Sequence, residues 1–80
     1  MGESRKLTPV DYRKLIRVFE REGFRIAHRK GDHISMTKLG ILRPLVIKCA
    51  PHKVPIAHIR TNMTTAGMSR ERFFELLDQL

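Results

Sequence analysis

The sequence predicts an α+β domain, a three-stranded antiparallel sheet with helices packed on one face, in the order α-β-β-β-α-α. Three observations carry this. A stripe of apolar residues at helical spacing lies between a Thr-Pro start and a glycine stop near the beginning of the chain. Three short strand-like runs, punctuated by glycine and proline, fill the middle. Helical spacing then returns after Pro55 and again after Ser69. Eighty residues make one domain, and a chain of that size buries roughly 60% of its unfolded surface.

In the first element Thr8 is the expected N-cap, Pro9 the first helical residue and Asp11 an acid in the positive-end turn. Val10, Leu15, Ile16 and Phe19 form the apolar stripe with Tyr12 at its flank, and Gly23 stops the helix. Arg13, Arg17 and Arg21 recur every four residues on another side. That row is either a solvated face or a surface that meets phosphate or a protein. Residues 1–6 are expected to form a flexible tail.

The run from Phe24 to Arg29 alternates with period two, which puts Phe24, Ile26 and His28 on one face and Arg25, Ala27 and Arg29 on the other. In the run from Ile34 to Thr37, Ile34 and Met36 are apolar, while His33, Ser35 and Thr37 are polar. If the apolar sets share the covered face, His33 shares the open face with Arg25 and Arg29. Gly31, able to take positive φ at little cost, suits the tight turn between these strands. Lys38 to Pro44 reads as a hairpin loop, unusually apolar at Leu39, Ile41 and Leu42. Those three either extend the strands into the core or offer a contact to another chain.

Leu45 to Cys49 is the third strand, and Pro51 and Pro55 bracket a loop that holds His52 and Lys53. A second helix begins near Pro55 with Ile56, Ile59 and Met63 on its buried side, and Gly67 can cap it. Ser69 starts a third, whose stripe is Phe73, Leu76, Leu77 and Leu80.

Charge points to a polyanion. The chain carries a net +8, and its placement matters more than its size. From Arg25 to Met68 there are eight basic residues against Asp32 alone, whereas the two ends are close to balanced. RNA or DNA is the favoured partner, with a merely soluble basic surface as the plain alternative. No apolar run approaches the ~18 residues that span a bilayer, and no signal-peptide hydrophobic region follows Met1. The lone Cys49 cannot form an internal disulfide, so a reducing, cytoplasmic setting is expected.

His33 is the residue best suited to chemistry. An imidazole can accept a proton from a ribose 2′-hydroxyl or return one to a leaving oxygen. Arg25, Arg29 and Lys30 nearby could offset charge developing on phosphate. On spacing alone a solvated or structural histidine remains the competing reading. A metal site is not expected. Cys49 and His52 have ligand-like spacing, and His28, His33 and His58 are the other conceivable ligands, but no second Cys pair or paired-His module accompanies them. There is no glycine-rich phosphate loop. Asp32 is expected to cap the turn.

Lys6-Leu7-Thr8-Pro9, Glu22-Gly23-Phe24, Lys30-Gly31-Asp32-His33, Ala66-Gly67-Met68-Ser69 and Phe73-Phe74-Glu75-Leu76-Leu77 together resemble HicA, the small toxin of a toxin–antitoxin pair. The resemblance spans nearly the whole chain in the same order. It implies a fold like the double-stranded-RNA-binding domain and a ribonuclease acting on mRNA. It also implies an essential histidine at the start of the second strand, which falls on His33, and a HicB-like antitoxin as partner. No cofactor is implied, and no membrane. The chain departs from that pattern at Asp32, where serine is usual, at Ala57-His58-Ile59, which replaces a Gly-Thr-Leu helix start, and at Asn62, where an apolar residue is typical.

The expectation is thus an endoribonuclease with His33 as its catalytic group and Arg25, Arg29, Lys30, Lys38, Lys48 and Lys53 as RNA contacts. Two rivals stand beside it. One is an RNA-binding module that does not cut, and the other an interaction protein whose basic face meets an acidic partner.

Overall fold

A computed structural model describes residues 5–80. It is an α+β domain in which β2 (Arg25–Lys30), β3 (His33–Thr37) and β4 (Leu45–Lys48) form an antiparallel sheet in that spatial order. Around it lie α1 (Tyr12–Arg21), α2 (Ile56–Ala66) and α3 (Arg70–Asp78). Two further short strands, β1 (Val10–Asp11) and β5 (Lys53–Val54), pair with each other.

That small pairing moves the start of the first helix. Val10 and Asp11 are extended because they face Val54 and Lys53, so α1 begins only at Tyr12 rather than at Pro9. Asp11, not Thr8, is the N-cap: its carboxylate accepts from the backbone N–H of Arg13 at 2.9 Å. Long-range pairing has overridden a good local helix start. The other two helices begin as expected and α2 ends as expected, but α3 stops at Asp78, so Leu80 of its expected stripe lies beyond it. Ser69 accepts from the N–H of Arg72 at 3.1 Å, and Gly67 closes α2 in the left-handed region at φ 67°.

The core fills one face of the sheet. Ile34 and Met36 of β3 and Leu45 and Ile47 of β4 are buried there. They meet Leu15, Val18 and Phe19 of α1, Ile59 of α2, and Phe73 and Leu76 of α3. Full burial of one such side chain is worth roughly 1.5–3 kcal/mol. The rings of Phe19 and Phe24 meet edge-on at 5.8 Å, which fixes the chain where it leaves α1 for β2.

Most of the expected tail, residues 1–4, lies outside the described residues. Arg5 is not free: its guanidinium pairs with Asp78 at 2.8 Å and lies over the ring of Phe74 at 4.2 Å. Leu7 is buried in the core. In the loop after β3, Leu39 and Leu42 are fully exposed, and only Ile41 packs against the core. Neither leucine extends a strand.

Candidate nucleic-acid interface and histidine site

Which side chains share a sheet face follows from the register. In the β3–β4 ladder His33 faces Lys48, Ile34 faces Ile47, Ser35 faces Val46 and Met36 faces Leu45. Since Ile34, Met36, Leu45 and Ile47 are buried, His33, Ser35, Val46 and Lys48 point to the open side. Lys48 could have been placed there from sequence, because Leu45-Val46-Ile47-Lys48 alternates with period two.

The β2–β3 ladder does not run as the simple alternation implies. It shifts between Ile26 and His28, leaving Ala27 as an extra residue in β2. Before the bulge Arg25 faces Thr37 and Ile26 faces Met36. After it His28 faces Ser35, Arg29 faces Ile34 and Lys30 faces His33. Two expectations are therefore corrected. Arg29 lies on the face of Ile34, not on the face of His33, and His28 lies on the open face. β2 is an edge strand, and a bulge there makes its free edge less suited to pairing with another strand.

The open face thus carries a row, Lys30–His33–Lys48, across all three strands. Neighbours in such a row stand about 5 Å apart. One step along comes His28–Ser35–Val46, and at the far end Arg25–Thr37. Arg25 is four residues from His33 in register, about 13 Å along the strand. Of the remaining expected RNA contacts, Lys38 has its ammonium 5.5 Å from the ring centre of Phe24, where it is half-buried. Lys53 lines a separate hollow of about 710 Å³ with Arg13, Lys14 and Arg17 beside the start of α1. Neither belongs to the His33 row.

His33 is held at the root of the β2–β3 turn. Gly31 takes φ 58°, and a Cβ there would meet nothing within 4 Å, so backbone conformation alone calls for glycine. The carbonyl of Asp32 accepts from the N–H of Cys49 at 2.8 Å, which ties the turn to the end of β4. The carboxylate of Asp32 lies 3.0 Å from Nδ1 of His33, both side chains being half-exposed. Asp32 therefore does more than shape the turn. The contact is one of charge rather than a hydrogen bond, and it sets a negative group beside Nδ1.

The other wall of the site comes from α2. His33, Val46 and Lys48 line a groove of about 250 Å³ together with His58, Thr61 and Asn62. Asn62 is 3% exposed, and its Nδ2 donates to the carbonyl of Val46 at 2.9 Å. The amide so covers the free edge of β4, which explains a polar residue buried on the inner side of α2. Its Oδ1 is buried without a hydrogen-bond partner. Sequence reasoning treated His58 only as a conceivable metal ligand and a departure from a motif. Its place four residues before Asn62 was the available signal, but it has meaning only once Asn62 is known to face β4.

The groups considered for a metal do not gather. Cys49 is buried, His52 stacks edge-on with Tyr12 at 5.9 Å, and His28 stands in a different row from His33. Among the described residues no group of three or more His, Cys, Asp or Glu is placed to hold a metal ion. Among those residues, too, no helix is long and apolar enough to cross a membrane.

The chain matches no model of a known protein family, no curated protein and no solved structure.

Proposed function

We propose that this chain is an endoribonuclease of the HicA type, the toxin of a toxin–antitoxin pair. On this reading it cuts mRNA in the cytoplasm by histidine acid–base chemistry, with neither cofactor nor metal ion in the reaction. The observation that carries the reading is the row Lys30–His33–Lys48 on the uncovered face of the sheet. It sets an imidazole between two ammonium groups on a surface broad enough for a nucleic-acid backbone.

The chemistry follows from those groups. RNA lies on the open face through phosphate contacts, with little reading of base identity. Nε2 of His33 takes the proton of a ribose 2′-hydroxyl, and the 2′-oxygen attacks the adjacent phosphorus. The bond from phosphorus to the 5′-oxygen breaks, giving a 2′,3′-cyclic phosphate and a 5′-hydroxyl end. Asp32, 3.0 Å from Nδ1, sets a negative group beside the imidazole as it takes the proton. Lys30 and Lys48 offset the negative charge that builds on the phosphate oxygens. A HicB-like antitoxin that covered this face would block both binding and cleavage.

The test is cleavage of mRNA by the wild type and by His33→Ala in excess chelator. Loss of cleavage in the variant, with RNA retention and melting temperature kept, supports the reading; equal cleavage refutes it. Salt-sensitive retention without product from the wild type points to a non-catalytic RNA-binding module. Tight binding to an acidic protein with negligible RNA affinity points to an interaction protein.

A further inference from the structure

Cleavage of a phosphodiester moves two protons: one leaves the attacking 2′-hydroxyl, and one must reach the departing 5′-oxygen. His33 accounts for the first. From the groove geometry we infer that His58 supplies the second, acting as the general acid opposite His33. This rests on the ribonuclease reading above.

The placement follows from one fixed contact. Asn62 is anchored to the carbonyl of Val46 at 2.9 Å. His58 lies four residues earlier in α2, on the same side of the helix and about 6 Å back along its axis. His58 lines one groove with Lys48 and His33, so moving back along α2 corresponds to moving forward along β4. Lys48 lies two residues beyond Val46, about 6.6 Å along the strand. His58 therefore comes abreast of Lys48, whose cross-strand partner is His33. That lining holds His33 and Lys48 on the sheet side and His58 on the helix side.

An imidazole on each wall suits the reaction. In a displacement at phosphorus the attacking and leaving oxygens stand roughly in line on opposite sides of the phosphate. A base and an acid on facing walls can serve both without either side chain moving between them. His58 is exposed, so it can reach a bound backbone and exchange its proton with water. The charged and titratable groups around the groove are Lys48, His33 with Asp32 beside it, and Lys30 across from His33. α2 itself carries no acid. In the step, His58 enters as the imidazolium, gives its proton to the 5′-oxygen as the bond to phosphorus breaks, and ends neutral. His33 ends protonated, and exchange with water restores both.

The test uses two dinucleotide substrates, one with the ordinary 5′-oxygen and one with sulfur in that bridging position, whose thiolate leaves without being protonated. His58→Ala is expected to cut the oxygen substrate about 100-fold more slowly and the sulfur substrate at close to the wild-type rate. It is also expected to lose the fall in rate on the alkaline side of the pH profile. His58→Gln, which keeps a polar side chain of similar reach, should behave as His58→Ala. Equal slowing on both substrates, or none on either, overturns the role of His58 while leaving His33 as the base. Failure of the wild type to cut either substrate overturns the ribonuclease reading and this inference with it.

Discussion

Lys30 stands directly across the β2–β3 ladder from His33. The two-residue turn Gly31-Asp32 sets that pair, while the unpaired Ala27 further along β2 sets the pairs beyond it, Ile26 with Met36 and Arg25 with Thr37. One inserted residue thus decides that Arg25 shares the open face with His33.

The register makes a prediction that composition cannot. Lys30→Ala and Lys48→Ala should each weaken RNA binding and lower the slope of log K against log salt by about one. Arg29→Ala, one residue away in sequence but on the other face, should change the slope by much less. Filter-binding titrations at several salt concentrations check this. Equal effects from Lys30 and Arg29 would show that RNA does not lie on the open face.

The carboxylate of Asp32 stands 3.0 Å from Nδ1 of His33. Replacing Asp32 with Asn removes the charge and keeps the size. Turnover should fall about 10-fold with little change in KM, because a group that orients the base contributes to the reaction step rather than to holding RNA. A rise in activity instead would mean that the carboxylate mainly repels phosphate.

Stability should fall in acid through two surface carboxylates. Hydrogen bonds from the Arg13 side chain, and then from its backbone N–H, hold Asp11 well below its ordinary value of 3.8. A hydrogen bond from Arg5 lowers Asp78 in the same direction. A carboxyl group depressed in the folded state stabilises it fully above its unfolded value, and that contribution is lost as pH falls toward the folded one. Urea midpoints should therefore be level above about pH 5 and drop below about pH 4. In Asp11→Asn the drop should be smaller, while its midpoint at neutral pH should already be lower. An unchanged acid limb would show that Asp11 gains nothing from Arg13.

The fold was legible where local pattern and long-range contact agree. Ile34 and Met36, Leu45 and Ile47, and the stripe of Phe73 and Leu76 each lie where period two or period 3.6 places them. It was not legible where a distant segment competes. The start of α1 moved because Val10 pairs with Val54, and no signal near Thr8 records that. The site divides in the same way. His33 and Lys48 follow from alternation, whereas Arg29 and His28 exchange faces at a bulge that leaves no mark in Arg25-Ile26-Ala27-His28. His58 enters the site through the packing of α2, a relationship between elements that no single stretch of sequence carries.

Asn62 joins the stability of the domain to the shape of the groove. Its Nδ2 satisfies the carbonyl of Val46 on the edge of β4, while its Oδ1 is buried without a partner. In Asn62→Ala the carbonyl loses its donor, at a cost of about 1–3 kcal/mol, and α2 loses its fixed contact with the sheet. Asn62→Asp should be worse, because it buries a charge and still offers the carbonyl no donor. The melting temperature should follow the order wild type, Asn62→Ala, Asn62→Asp, from highest to lowest. RNA cleavage by Asn62→Ala, measured well below its melting temperature, should also fall, since His58 is carried on the same helix face. Full stability in Asn62→Ala would mean that apolar contacts from Ile59 and Met63 hold α2 in place unaided, and that the buried amide serves the groove alone.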